Sequence, residues 1–406
     1  MQRALHLFVW LLLACGGVEA EAQLGLAVRD EVAQLNDDSL FAAAEPYPGI
    51  AHRTLGEELF SRYSAGGVVV EWAATHQAAE GASSNQGRLN ELYLDFAGAG
   101  LDFTMGKKVM SFGVGYGFRP LDVIQQEVRR PLLRTRLEGV PVAVVEQLDG
   151  DSSLAAIYVN RLEIDSDGVR RGHHEGVLRH YRFWGDLESH ALLHLDETLG
   201  AAPGAGFSWV AGERLELHGS FLYMARYLLP VHTLLGSGEL LATSDPWRLE
   251  ERHGGSKVVL GSSATFGSLT LLGEAWHDDE ALRAAQWRAL FELAAAQRAL
   301  LGTVPAAAVY ANLAWDQRAY QHPSALPDNL LLHLGYDGQR SDPYLDWLTT
   351  PEDGGQVVTL GLDQELRQWL KLRVGVRRFG GPIDSAYGQM PQHHVAFLEL
   401  NGEMVW

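Results

Sequence analysis

An alternation of apolar and polar residues with period two runs through most of this chain, and it limits the fold more than any other feature. In LESHALLHLDE (187–197), Leu187, Ser189, Ala191, Leu193 and Leu195 share one face, while Glu188, His190, His194 and Asp196 share the other. The pattern recurs in NELYLDF (90–96), LDFTMG (101–106), LELHGSFLYM (215–224) and LKLRVGVRRF (370–379). Successive side chains of a strand point to opposite faces, so each stretch reads as a strand with one apolar and one polar side. Beyond residue 22 there is no run of 18 apolar residues, which excludes a transmembrane helix.

The connections alternate as well. Short ones sit at 64–66, 98–100, 149–153, 185–186, 212–214, 267–268, 338–341 and 364–367. Between them fall longer stretches at 36–54, 77–89, 109–139, 162–176, 196–204, 225–256, 279–328 and 379–392, with 351–355 a short exception. Short turns at one end and long loops at the other are the rhythm of an outer-membrane barrel. The expected fold is all-β: a transmembrane antiparallel up-and-down barrel of about eighteen strands, the first near 24–35 and the last near 393–406. Sixteen is the alternative, because 24–35, 140–148 and 177–184 alternate poorly. The last strand ends LELNGEMVW, with Leu398, Leu400, Gly402, Met404 and Trp406 on its apolar face. Trp406 and Met404 there are the expected assembly signal, read by the barrel-assembly machinery.

Residues 1–22 read as a secretory signal peptide: Arg3, then the apolar run Ala4–Ala14, then small residues at Ala20 and Ala22 with cleavage after Ala22. A membrane anchor is the alternative, with an apolar run too short to span easily. LLAC at 12–15 loosely resembles a lipoprotein signal. Residues 23–406 then form a single barrel domain in the outer membrane of a Gram-negative bacterium, in contact with lipid and lipopolysaccharide. The sole cysteine, Cys15, lies in the signal, which excludes disulfides, thiolate metal sites and a cysteine nucleophile from the remainder. A net charge of −19 argues against nucleic acid as a partner.

One stretch breaks the alternation. DDEALRAAQWRALFELAAAQRALLGT (278–303) places Leu282, Trp287, Leu290, Phe291 and Ala294 on one helical face, with Gly302 as a cap. It predicts a helix of about five turns inside the loop 279–328, either a lid over the mouth or a loop packed on its neighbours.

GKKVMSFGVGYGFRPLDVI (106–124) follows an outward-running strand and opens the loop 109–139. Through Gly106, Lys107, Gly113, Gly115, Pro120, Asp122 and Val123 it resembles a segment of porins of the alginate-export kind and related uncharacterised outer-membrane proteins. It departs from that segment at Lys107–Lys108 and Phe112, where the porins carry Arg–Gln and Trp. TPEDGG (350–355) and RFGGP (378–382) add to the likeness. The resemblance implies an 18-stranded barrel and no particular substrate.

In a barrel with apolar faces toward lipid, the lumen receives Glu71, Glu91, Asp95, Asp102, Glu188, His190, His194, Asp196, Glu216, His218, Glu274, Asp346, Asp363, Glu399 and Glu403. Its bases are Lys371, Arg373 and Arg377. A base turned toward lipid costs about 2–4 kcal/mol near the midplane, and an acid less. Loop 109–139 carries Arg119, Arg129, Arg130, Arg134 and Arg136. Folded inward, they form a constriction that sets a transverse field against the acidic wall; left outside, they meet lipopolysaccharide phosphates. The carboxylate excess predicts mild cation preference, stronger once Arg130 and Arg134 are removed together.

Enzyme signatures are absent: no G-x-S-x-G, no H-E-x-x-H and no P-loop occurs. The pairs His173–His174 and His393–His394 put adjacent residues on opposite strand faces, so neither is expected to chelate. His190 and His194, with Glu188 or Asp196, make only a weak metal signal. No cofactor is expected. The chain reads as a channel for small hydrophilic solutes or ions; export or assembly of a surface polysaccharide or lipid, or a barrel enzyme, are the alternatives.

Overall fold

The structure is a computed structural model describing residues 20–42, 51–80, 82–125, 136–164 and 170–406. Its strands are β1 (Ala20–Leu35), β2 (Arg53–Ala65), β3 (Val68–Ala79), β4 (Ala82–Gly98), β5 (Leu101–Lys108) and β6 (Val140–Asp149). Then come β7 (Ser152–Ile164), β8 (Arg170–Trp184), β9 (Leu187–Asp196), β10 (Gly200–Ala211), β11 (Leu215–His232) and β12 (Trp247–Phe266). The ring is completed by β13 (Leu269–Asp278), β14 (Asp328–Tyr336), β15 (Ser341–Thr350), β16 (Gly355–Arg367), β17 (Leu370–Gly380) and β18 (Gln392–Val405). Each strand pairs antiparallel with its chain neighbours, and β1 closes on β18 from Gln23↔Val405 to Leu35↔Gln392. The count is therefore 18, and the poorly alternating segments β1, β6 and β8 are all strands.

Closure removes every sheet edge, so the backbone is satisfied without water, as a bilayer requires. The outward face is apolar, with Leu26, Leu59, Leu92, Leu195, Leu260, Leu332, Leu360 and Leu398 exposed among many others. Beside the short turns stand exposed aromatics: Phe96, Trp184, Trp209, Phe266, Tyr336, Trp369 and Trp406. They form a belt at one rim, where rings with an apolar body and a polar edge sit best. Trp406 belongs to that belt, and its backbone exchanges two hydrogen bonds with Ala22 (2.9 and 3.0 Å). Residues 1–19, including most of the expected signal, lie outside the described residues, and β1 already starts at Ala20. Cleavage after Ala22 would leave Gln23↔Val405 as the last rung of the closing pair.

Several connections expected to be long are strand instead. The stretch 77–89 is mostly a β3–β4 hairpin paired up to Ala79↔Ala82, and 225–256 shrinks to 233–246 because β11 and β12 pair as far as His232↔Trp247. The stretch 162–176 is largely the ends of β7 and β8, and 196–204 shortens to 197–199. The expected turn at 364–367 lies at 368–369. Beyond the apolar outer band both faces of a strand meet water, so period two fades from the sequence although the ladder continues.

The insert between β13 and β14 holds two helices, α1 (Ala284–Ala299) and α2 (Ala306–Asp316), followed by a 3₁₀ turn at Gln317–Gln321. The sequence reading foresaw the first and missed the second. Trp287, Leu290, Phe291 and Ala294 of α1 are all buried, and Gly302 adopts φ +85° in the turn after it. The helices pack inside the mouth, not above it: their core includes Ala33, Val357, Phe379 and Val395, the inner faces of β1, β16, β17 and β18. Asp316 lies against His232 of β11 at 3.0 Å, both side chains fully buried. Burial pushes the Asp316 carboxyl above the usual range, and the imidazole opposes that rise.

Candidate functional site: the lumen and its inturned loop

The loop after β5 turns into the barrel. Its base is tied at Val109, whose N–H donates to Glu91 (3.0 Å), and at Met110, whose N–H donates to Gln125 (2.9 Å). Asp122 then gathers the chain into a knot: its carboxylate accepts the N–H of Phe112 (2.6 Å), the N–H of Gly113 (2.7 Å) and the hydroxyl of Ser111. The knot explains two glycines of the recognised motif. A Cβ on Gly113 would meet the Arg119 side chain at 2.4 Å, and one on Gly115 would meet the Phe118 carbonyl at 1.8 Å.

The tip reaches the far wall. Glu274 on β13 accepts the N–H of Tyr116 (2.5 Å) and the N–H of Gly117 (2.6 Å), and it also holds His218 of β11 at 2.8 Å. Phe118 stacks on Trp276 at 5.9 Å, within a small apolar cluster with Val259 and Leu331. Since β5 and β13 stand eight places apart in an 18-strand ring, the loop spans nearly the full diameter. On one side it covers an apolar wall: Phe112, Leu121 and Ile124 pack on Val142, Val144, Ile157, Val159, Val177, Leu192, Leu222 and Met224.

On its other side the wall is charged and uncovered. A cavity of 440 Å³ is lined by Arg29, Glu31, Asp346, Asp363, Arg373, Arg377 and Glu399, with Tyr116 of the loop tip facing them. A second cavity of 190 Å³ shares Asp342, Asp363, Arg373 and Glu399 and continues past Lys371 to Gln339 and Arg340 at a short turn. The charges are paired: Arg29 with Glu399 (3.1 Å), Arg373 with Asp363 (2.6 and 2.7 Å), His333 with Asp346 (2.6 Å), and Arg377 donates to Thr359 (2.8 Å).

The inward faces carry the residues named from the alternation. Glu71 and Glu91 join Glu58, Arg62, Arg88 and Arg136 in one network at the loop base; Arg136 donates to Glu71 at 3.3 Å and lies 3.3 Å from the Phe60 ring centre. Three arginines there balance three glutamates, so Arg136 cancels charge locally rather than projecting a field across the lumen. Arg119 is also engaged within its own loop, donating to the Gly115 carbonyl (2.9 Å) and to Ser111 (3.1 Å). Arg129, Arg130 and Arg134 lie outside the described residues. Asp95 accepts from Thr104, Asp102 sits near a short turn, Glu216 accepts from Ser208 and Ser263, and Glu403 accepts from Gln23.

The histidines fall into several separate pairs. His190 pairs with Glu188 (2.8 Å), whereas His194 pairs across strands with Glu175 (2.9 Å) and Asp196 with His173 (2.8 Å), so His190 and His194 do not share partners. His173 and His174 do face opposite ways: His174 meets the Tyr158 hydroxyl at 2.6 Å on the outside. His393 and His394 do not separate, their rings being 4.3 Å apart, because a register shift opposite Gln34/Leu35 leaves His393 unpaired. The reading by alternation missed Arg29, Glu58, Arg62 and Arg88. All four share the inward parity of neighbours such as Ala27, Phe60 and Asn90, and that parity was the available signal.

No family model matches the chain, and no curated protein matches it. Solved structures do. Three of them share the barrel fold of this chain. OccAB1 of Acinetobacter baumannii superposes with a TM-score of 0.58 at 8% identity, over 95% of this chain and 96% of that one. OccK5 (OpdH) of Pseudomonas aeruginosa gives 0.56 at 8% identity, over 96% and 98%. The outer membrane protein OpdK of the same organism gives 0.55 at 8%, over 96% and 99%.

Proposed function

We propose that this chain is a channel in the outer membrane of a Gram-negative bacterium, passing small hydrophilic solutes or ions along the charged wall of its lumen. The observation that carries the reading is the division of the interior. The inturned loop covers one wall, and the 440 Å³ cavity lies along the other, lined by both acids and bases. Paired charges on a wet wall offer a solute hydrogen-bond donors and acceptors while costing little desolvation. The apolar outer band and its aromatic belt suit a lipid surround, with lipopolysaccharide at the outer rim. OpdK has been solved with vanillate; a small carboxylate of that kind would find Arg29, Arg373 and Arg377 along the wall described above. A channel is preferred to a barrel enzyme because the charged groups are spread in ion pairs along a wall and not gathered round a nucleophile.

The likeness of Gly106–Val123 to alginate-export porins supports a second reading, export of a surface polysaccharide. Purified protein in a planar bilayer should give stepwise ion conductance. A silent bilayer overturns the open-channel reading. Conductance blocked by added uronate oligomers, but not by neutral ones, favours the export reading.

A further inference from the structure

We propose that His173, Glu175, His194 and Asp196 form a binding site for a divalent transition-metal ion of the zinc class, on the inner wall at the long-loop end of β8 and β9. One donor atom from each of His173, Glu175 and Asp196 lies within 4.8 Å of the others, and His194 Nε2 stands 2.9 Å from Glu175. Donors around a tetrahedral zinc sit about 3.4 Å apart, given bonds near 2.0–2.1 Å, so side-chain adjustments of roughly an ångström close the set. Two imidazoles and two carboxylates, with no thiolate, suit zinc, nickel, cobalt or copper better than calcium or magnesium.

The surroundings are those of a built metal site. Asp196 is aimed by the N–H groups of Thr198 and Leu199, both 2.7 Å from Oδ1, which leaves Oδ2 to His173. The other nitrogen of His173, Nδ1, faces the Glu197 carboxylate at 3.3 Å. A carboxylate behind a ligating histidine fixes the ring and raises its basicity. Glu175 is held by Arg161, which also donates to the Ile124 carbonyl of the inturned loop. With both imidazoles neutral, Glu175, Asp196 and Glu197 outweigh Arg161 by two negative charges, which one divalent ion balances. The site opens on a cavity of 350 Å³, so an ion has a way in.

The test uses untagged, detergent-folded protein stripped with chelator, titrated calorimetrically with zinc chloride and followed by visible spectroscopy with cobalt. One ion per chain should bind, with cobalt bands of a four- or five-coordinate site. His173→Ala should weaken binding at least tenfold. Glu197→Gln, which removes only the carboxylate behind the ring, should weaken it by about 10–100-fold. His322→Ala, in a separate cluster with Asp278 and Glu280, should leave that ion bound. Heat-modifiable migration on gels checks that each variant is folded; should His173→Ala fail, the near-isosteric Asp196→Asn takes its place. Absence of stoichiometric binding to the wild type, or unchanged binding in folded His173→Ala or Asp196→Asn, overturns the proposal.

Discussion

The inner faces of β6–β9 and of β14–β18 belong to one ring, yet they are finished differently. The first presents Val142, Val144, Ile157, Val159, Val177 and Leu192, and the inturned loop lies on it with Phe112, Leu121 and Ile124. The second presents Asp346, Asp363, Arg373, Arg377 and Glu399, and it lines the main cavity. Burying apolar surface is favourable by about 25 cal/mol per Å², whereas burying a charge costs unless it is paired. A loop free to lie on either wall therefore takes the apolar one, and the charged wall stays in water. An inner wall thus reports on more than lumen polarity: its apolar half marks where an insert is seated, and its charged half marks the path left open. The mouth shows the same rule, since α1 and α2 cover the apolar ends of β1 and β16–β18 while the charged residues lie deeper.

The comparison breaks most readily at the loop tip. Hydrogen bonds to a charged group contribute about 1.5–3 kcal/mol each. Losing the two from Tyr116 and Gly117 in Glu274→Ala should shift the seated-to-free ratio of the tip by roughly 10²–10⁴. Single-channel conductance should rise, with larger current noise; unchanged conductance would mean that the tip does not narrow the path.

Next in size is the apolar seat. Leu121 is 1% exposed against the covered wall. Leu121→Ala should cost about 2–5 kcal/mol of loop seating, seen as faster proteolysis within 109–125 at unchanged barrel stability. A fall in the barrel's own unfolding temperature, with the loop still protected, would show that the wall and not the loop depends on this contact.

The charged wall should respond in selectivity rather than in structure. Arg373→Ala leaves Asp363 unpaired on the path and should move the reversal potential across a salt gradient toward cations. Arg136→Ala should shift it less, because that arginine lies in the balanced network at the loop base. An equal shift for both would deny any difference between path and base. Removing Arg130 and Arg134 together should also shift it toward cations if they line the path.

The smallest effect on the comparison is at the rim far from both walls. Trp406→Ala should lower the folded, heat-modifiable fraction in the outer membrane and leave the conductance of assembled channels alone. An undiminished folded fraction would reduce Trp406 to one more residue of the aromatic belt.

The alternation made the strands and their facing legible, because period two is local and each residue's face follows from its neighbour's. It carried Glu71, Glu91, His218, Glu274, Asp363 and Arg373 to the inner face without knowledge of the ring. It failed where locality fails: the tall ends of β11 and β12 lose their pattern in water, and α2 is short and buries Asn312 and Asp316 beside Val309 and Leu313, so no polar face sets its apolar one apart. The motif at 106–124 was visible as spacing, but its use was not, since Asp122 gathers Ser111, Phe112 and Gly113 only once the loop has turned.

By itself, then, the sequence determined an up-and-down barrel, its strand order and the charged inner faces of its well-alternating strands; the apolar inner wall of β6–β9 was not legible in it. Closure of the barrel decided the rest. It brought Glu274 across from a loop some 160 positions earlier in the chain, matching two N–H groups to one carboxylate. It also set His173 and Glu175 beside Asp196 and His194, pairs that belong to adjacent strands and not to one run of residues. Contacts of that kind depend on register and on the diameter of the closed ring, and neither quantity is written in any single stretch of the chain.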